Sequence, residues 1–204
     1  MIPLQISKEE VNQLPLGQFE GEIYLIDQAE DVDEVVEFLE RQHVLGFDTE
    51  TKPAFRKGVV NQVSLLQIST SEQAFLFRLN HVGFPDSIRN LLEREHIVKV
   101  GAAVHDDIKG LAKLTDSFYA SSFFDLNDEL KKIGFHNVGV RNLSGMVLGI
   151  RISKSEQVSN WEAEELTERQ QRYAATDAWA CLEIFKKLNG EGYFDSLFNF
   201  KNLK

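Results

Sequence analysis

Two carboxylates, Asp48 and Glu50, are separated by one residue at the end of the stretch Val44–Thr51, which begins with apolar residues. Side chains alternate along an extended chain, so both acids point to one side. Leu45 and Phe47 then point to the other side. Neighbouring carboxylates repel each other beside an apolar layer unless a cation lies between them, and a divalent metal ion with oxygen ligands is the simplest such cation. A strand that ends in acidic residues at a turn fits this stretch equally well.

A third acid, Asp107, lies in a predicted helix over residues 103–114. Rotation by about 100° per residue places Asp107 on the apolar stripe with Leu111. The same rotation places Asp106 on the polar face with Lys109. We therefore expect Asp107 to point inward and Asp106 to be a solvated surface charge.

The fourth acid, Asp177, follows Tyr173 by four residues in the predicted helix 167–188, so the two side chains share a helix face. They lie at the edge of the apolar stripe that should contact the sheet. An aspartate in the N-terminal half of a helix is also favoured by the helix dipole, which would explain Asp177 alone. Four inward acids in one small domain, however, indicate a functional site.

The segments around these acids alternate between strand and helix patterns. Strands are predicted at residues 22–27, 44–50, 63–69, 74–79 and 97–100. Helices are predicted at residues 31–42, 84–94, 103–114, 125–133, 141–148 and 167–188. The pattern predicts one mixed α/β unit, with the third and fourth strands joined as a hairpin. We expect three parts, namely an irregular N-terminal arm at 1–21, the domain at 22–190, and an aromatic tail at 191–204 packed on the domain.

The composition limits the classes of function. The 204 residues include 32 acidic and 22 basic side chains, giving a net charge of -10. Tight non-specific binding of duplex nucleic acid normally needs a strongly basic surface, so it is not expected. An enzyme that grips one strand end with the help of metal ions is compatible with this charge. A single Cys181, no secretory signal pattern and no apolar run of membrane-spanning length lead us to expect a cytoplasmic protein.

Three motifs in this order resemble the DEDD superfamily of 3′-to-5′ exonucleases, in the branch with a tyrosine before the last aspartate. The motifs are Phe47-Asp48-Thr49-Glu50, then Val100-Gly101 followed by Asp107 and Leu111, and finally Tyr173-Ala174-Ala175-Thr176-Asp177-Ala178. Ahead of the last helix, Ser159-Asn160-Trp161 is more similar to the exonuclease domain of Werner syndrome helicase than to ribonuclease D or polymerase proofreading domains.

The resemblance implies a ribonuclease H-like fold, a mixed central sheet flanked by helices with the acids at one end. It implies two divalent ions, Mg²⁺ or Mn²⁺, with Asp48 bridging both. Glu50 and Asp177 would hold the first ion with it, Asp107 would help to hold the second, and Tyr173 would orient the attacking water. The implied reaction removes nucleotides from the 3′ end of DNA or RNA. The chain carries no helicase signature, so it would work alone or be recruited by another protein, and no contact with a membrane is expected.

Several residues near the acids are candidates for holding the strand end. The cationic candidates are Lys52, Arg56, Lys57, Lys154 and Arg172, each of which would otherwise be an ordinary surface charge. Lys154 is the favoured one. Phe55 could stack on the terminal base, although apolar packing is the alternative for this side chain.

Two other functions fit parts of the sequence. A haloacid dehalogenase-type phosphatase also has a strand followed by closely spaced acids, with Asp48 as nucleophile. In that fold, however, a helix and not a hairpin follows the first acidic strand. A catalytically silent domain of the same fold that binds nucleic acid or protein is the second alternative, although all four acids and the tyrosine are present.

Overall fold

The computed structural model describes residues 2–56, 58 and 60–194, and its centre is a six-stranded sheet in the order β1-β4-β3-β2-β5-β6. The strands are β1 Glu22–Ile26, β2 Val44–Thr51, β3 Val63–Ser69, β4 Gln73–Arg78, β5 Val98–Gly101 and β6 Phe123–Asp125. β3 runs antiparallel to both β2 and β4, whereas the other neighbouring pairs are parallel. The predicted mixed sheet and the hairpin are therefore confirmed.

Helices cover both faces of this sheet. They are α1 Lys8–Gln13, α2 Val32–Leu39, α3 Leu79–Val82, α4 Asp86–Glu93, α5 His105–Ala112, α6 Leu126–Lys132, α7 Val140–Leu143 and α8 Glu168–Gly190. On the face that carries Leu45 and Phe47, α2, α4 and α5 form one buried apolar cluster. On the opposite face α8 contributes to two clusters, around Trp161 at one end and Cys181 at the other. No helix in the described ranges is long and apolar enough to cross a membrane.

α8 begins where the sequence predicts and lies directly on β2. The Thr167 hydroxyl accepts a hydrogen bond from the Gln170 backbone N–H, and the Gln170 side chain accepts one from the Thr167 backbone N–H. A Cβ atom at Gly46 would lie 2.1 Å from the Ala178 carbonyl oxygen and 2.3 Å from Ser69 Oγ. The absence of a side chain at Gly46 therefore lets the helix backbone approach the strand that carries the first two acids.

The N-terminal arm contains a helix that the sequence analysis did not predict. α1 starts after Ser7, whose side chain and Glu10 form a reciprocal capping box. Val11 and Phe19 are buried against the rest of the chain. A six-residue helix with one buried residue has too little periodicity to be recognised, and it is too short to be stable without tertiary contacts.

Two further regions differ from, or extend beyond, the predictions. The segment between α5 and α6, which is rich in aromatic residues, contains strand β6. This strand pairs with β5 and was not predicted. In the tail, the Phe194 ring is buried and stacks on Phe185 with 5.5 Å between the centroids. Residues 195–204, where we expected Phe198 and Phe200 to pack, lie outside the described residues. The division into arm, domain and tail stays a prediction.

The contact at Gly46 generates a test of the fold. Gly46→Ala should lower the free energy of unfolding by about 1–3 kcal/mol, because the added methyl group meets helix backbone that has no space to move. Gly190→Ala is the matched control, since a Cβ atom there meets no atom within 4 Å and alanine favours a helix. Urea unfolding of both variants checks this expectation, and a Gly46→Ala protein as stable as the wild type would contradict it.

Candidate active site

Three carboxylates gather where β2 faces α8. Oxygen atoms of Asp48, Glu50 and Asp177 all lie within 4.8 Å of one another. Asp177 is buried, whereas Asp48 and Glu50 are partly exposed. Strand alternation directs two of the acids to the α8 side, and the helix supplies the third from its inner face. Residues 129 positions apart in the chain therefore share one small volume.

The environment of these acids favours their neutral forms unless a cation is present. Burial, followed by the charges of Asp177, Asp107 and Glu50, raises the pKa of Asp48 well above its usual range. Burial and the same two aspartates raise the pKa of Glu50 to about 9. Burial also raises the pKa of Asp177 to about 7, although Tyr173 and the Lys154 charge act in the opposite direction. Clustered hard oxygen donors that repel one another fit a divalent cation.

Asp107 points inward from α5, as predicted, and joins the cluster from its other side. Its Oδ1 accepts a hydrogen bond of 2.5 Å from the Thr49 hydroxyl, and its burial raises its pKa. Thr49 lies between the first two acids and so projects to the opposite, α5 side of β2. The neighbouring Asp106 is 94% exposed and pairs with Lys109 at 3.2 Å. The helix rotation therefore distinguished the two aspartates correctly, whereas Thr49 was not recognised as a partner.

Tyr173 lies one helical turn before Asp177, with its side chain among the acids. Burial, the charges of Asp177 and Glu50, and a hydrogen bond with Asp177 all raise the pKa of its phenol. The phenol therefore keeps its proton at neutral pH and is a hydrogen-bonding group, not a base. The Tyr173 ring lies 6.0 Å from that of Trp161, which is fully buried.

The acids open into a cavity of about 710 Å³. Besides the acids and Tyr173, its lining includes the predicted Lys154 and cationic or amide side chains that the sequence analysis did not assign to the site. These are Asn61, Gln62, Lys113, Asn127, Arg141, Asn142 and Gln157. They come from separate loops and helices, and no spacing in the sequence relates them. Their proximity to the acids follows from the fold alone.

Two of the predicted strand-binding residues lie on the segments that border this cavity. Lys154 lines the cavity, and its positive charge lowers the pKa of Asp177. Lys52 forms an ion pair of 3.0 Å with Glu162. This pair connects the loop after β2 with the segment before α8. Lys52 is thus partly engaged within the protein.

The remaining candidates have different environments. Phe55 is 84% exposed, so the alternative that it packs in the core is wrong. Arg56 is exposed on the same loop, and Lys57 lies outside the described residues. Arg172 does not line the acidic cavity, because its Nη1 donates a hydrogen bond of 2.8 Å to the Phe19 carbonyl and so fixes the N-terminal arm. Its partner is in the arm, which the sequence analysis treated as irregular.

Comparison with known proteins gives a consistent result along most of the chain. A family model described as 3'-5' exonuclease matches residues 23–192. The chain is 32% identical over 193 residues to the bifunctional 3'-5' exonuclease/ATP-dependent helicase WRN of Mus musculus, covering 89% of this chain and 14% of that protein. It is 29% identical over 190 residues to the exonuclease mut-7 homolog of Aedes aegypti, covering 81% of this chain and 26% of that protein. The chain therefore spans about a quarter or less of these two relatives.

A solved structure of an exonuclease domain has a similar fold. The Nibbler EXO domain of Aedes aegypti superposes with a TM-score of 0.78 at 25% sequence identity, covering 90% of this chain and 100% of that one. The fold is therefore ribonuclease H-like, as the sequence motifs implied.

The raised pKa values lead to a prediction for the protein without bound cations. The folded state binds more protons than the unfolded state between the ordinary pKa of Glu50, 4.5, and its folded value of about 9. The contribution of Glu50 to the free energy of unfolding is therefore fully present below the lower value and is lost as the pH rises through the higher one. In the presence of a chelator, we expect the free energy of unfolding of Glu50→Gln to fall less steeply with pH than that of the wild type.

Urea unfolding at several pH values across this window measures the two slopes. Glu37→Gln, which removes a carboxylate from the exposed side of α2, serves as the control because it leaves the cluster unchanged. Parallel wild-type and Glu50→Gln curves would contradict the electrostatic description of the site.

Proposed function

The chain belongs to the 3′-5′ exonuclease family, and from this membership we propose that it removes nucleotides from the 3′ end of a nucleic-acid strand by metal-dependent hydrolysis. The observation that carries the proposal is the cluster of Asp48, Glu50 and Asp177, whose oxygen atoms lie within 4.8 Å of one another beside a cavity. Asp107 and Tyr173 border the same cavity. The reaction class follows from carboxylates that can hold cations next to a space large enough for a nucleotide.

The four acids would hold two divalent ions, for which we propose Mg²⁺ or Mn²⁺. Asp48, whose pKa is raised by burial and by the charges of both Asp177 and Asp107, would serve both ions. Glu50 and Asp177 would share the first ion with it, and Asp107 would contribute to the second. When bound, two such ions stabilise the charge on the attacking and leaving oxygen atoms of a displacement at phosphorus.

Tyr173 would orient the attacking water, the role expected in the tyrosine branch of the superfamily. Its raised pKa supports hydrogen bonding over proton abstraction. The Tyr173 hydroxyl is restrained by its hydrogen bond with Asp177, and the Tyr173 ring lies 6.0 Å from the buried Trp161 ring. This restraint lowers the entropic cost of positioning a water molecule for attack.

The strand end would be held by the two segments that border the cavity. Lys154, which lines the cavity, would contact a phosphate near the acids, and Arg56 and Lys57 would contact other phosphates of the strand. Phe55, which is 84% exposed, would stack on a base. Lys52 would position the loop through its ion pair with Glu162. Arg172 is left out of this proposal because it holds the N-terminal arm.

The substrate in the cell would be a 3′ end of DNA or RNA. A cytoplasmic location and a recruiting protein stay predictions from the sequence. The phosphatase alternative has no support, because β2 is followed by its antiparallel neighbour β3 and not by a helix. An activity assay distinguishes the proposed enzyme from the catalytically silent alternative.

A 5′-labelled oligonucleotide substrate, both single-stranded and as a 3′-recessed duplex, tests the activity. With Mg²⁺ or Mn²⁺ we expect a ladder of products that shortens from the 3′ end, and a chelator should abolish it. Asp48→Ala and Asp107→Asn should each lower the rate by about 100-fold or more, since each removes a ligand of the charge-stabilising ions. The same assay with an RNA oligonucleotide of matching sequence shows whether the protein prefers DNA or RNA.

Asp106→Asn is the matched control for Asp107→Asn, because the two residues are adjacent but Asp106 is exposed and pairs with Lys109. It should retain wild-type activity. An Asp48→Ala protein as active as the wild type would refute the assignment, and a wild type without activity on any of these substrates would favour the silent domain.

Phe55 generates a separate prediction about substrate binding. Phe55→Ala should raise the KM for a single-stranded oligonucleotide by about fivefold or more, because stacking on one base is lost, while kcat changes little. The unfolding free energy should be unaffected, since the ring is exposed. Tyr119→Ala, which removes another aromatic ring that is 78% exposed, is the control. Equal KM values for Phe55→Ala and the wild type would exclude the stacking role.

A further inference from the structure

Gln67 on β3 is a fully buried polar side chain that the proposed mechanism does not use. It is 0% exposed, and neither its Oε1 nor its Nε2 has a hydrogen-bond partner among the residues that the structure describes. Leaving a buried amide unpaired costs folding free energy. The buried Lys99 and Arg78, by contrast, donate to backbone carbonyl oxygens. The burial of the Gln67 amide is therefore not explained by hydrogen bonds to backbone carbonyl oxygens, as it is for Lys99 and Arg78.

The register of the sheet places Gln67 directly opposite Asp48. In the antiparallel pair of β2 and β3, Asp48 aligns with Gln67 and Gly46 aligns with Ser69. Residues directly opposite each other share a face of the sheet, with Cβ atoms about 4.5–5.5 Å apart. The face is the one beneath α8, because the Cβ position of Gly46 lies close to both Ser69 Oγ and the Ala178 carbonyl oxygen. The Gln67 amide is thus in the same layer as the Asp48 carboxylate.

We propose that Gln67 is a positioning residue: its Nε2, which has no partner among the described residues, donates a hydrogen bond to the Asp48 carboxylate when that carboxylate turns to bind a cation, and so fixes its orientation. The inference rests on the proposed function, in which Asp48 serves two ions and so depends most on the rotation of its carboxylate. A second unpaired group lies in the same layer. Ser69 Oγ is buried and has no hydrogen-bond partner within the described part of the chain, and in the cation-bound state it would donate to Gln67 Oε1.

The chemistry of an amide suits this role. A lysine or arginine opposite Asp48 would neutralise the carboxylate and compete with the cations. An amide restrains the carboxylate by donating a proton but leaves its negative charge available. Hydrogen bonds from groups behind a metal ligand typically change metal affinity by about 10–100-fold.

Gln67→Leu distinguishes positioning from simple packing, since leucine fills a similar volume without the amide. A packing role predicts equal or greater stability without cations, together with unchanged Mn²⁺ affinity and unchanged kcat. The positioning role predicts the same stability without cations but about tenfold or more weaker Mn²⁺ binding and a lower kcat at constant KM. Calorimetric titration with Mn²⁺, urea unfolding in a chelator, and kinetics on a single-stranded oligonucleotide supply the three measurements.

Gln67→Met is the second variant. Methionine is unbranched like glutamine, so an effect that appears with leucine and not with methionine comes from the branched shape of leucine. The positioning role requires both variants to fold and both to lose Mn²⁺ affinity. Wild-type values for Mn²⁺ affinity and kcat in both variants would overturn this inference and leave the exonuclease assignment intact. Loss of the fold in both would also overturn it, by giving the amide a structural role. A wild type that neither binds Mn²⁺ nor cleaves would overturn the proposed function itself.

Discussion

Repulsion among buried carboxylates is the interaction on which the rest of the structure depends. The acids of β2 and α8 are close enough to raise one another's pKa, and burial raises the values further. Such an arrangement is unfavourable by itself, so surrounding packing must maintain it. That packing is the contact of α8 with β2, which only a glycine at position 46 permits.

Contacts outside the cavity keep α8 and its neighbouring segment in place. The Arg78 guanidinium donates hydrogen bonds to the carbonyl oxygens of Ala163 and Glu164, just before the helix starts. Arg172 connects the helix to the N-terminal arm through the Phe19 carbonyl. These contacts fix the position of α8, and with it the positions of Tyr173 and Asp177. Residues that do not line the cavity therefore contribute to its geometry.

The charge distribution explains how an acidic protein can act on a polyanion. The net charge of -10 disfavours a broad interface with phosphates, and much of the positive charge near the acids is already engaged in ion pairs or hydrogen bonds. Lys154, by contrast, lines the cavity, and its charge acts directly on Asp177. In the proposed function, the protein would rely on cations at the reaction centre and on a few contacts with one strand end, not on a basic surface.

The sequence by itself determined the features that have a local period. Strand alternation directed Asp48 and Glu50 to one side, and helix rotation separated Asp107 from Asp106, because each depends on residues a few positions apart. The mixed α/β class and the hairpin of β3 and β4 followed from the same patterns, whereas the mixed central sheet was implied by the resemblance of the three motifs to a known superfamily. The roles of the individual acids remain proposals.

Only the tertiary structure decided which distant side chains meet. The helix in the arm, the exposure of Phe55, the use of Arg172 as a tether, the bond from Thr49 to Asp107 and the unpaired amide of Gln67 all depend on segments far apart in the chain. No local period encodes such pairs. They are fixed when α8 and α5 pack on opposite faces of the sheet, because packing then selects the partner of each side chain.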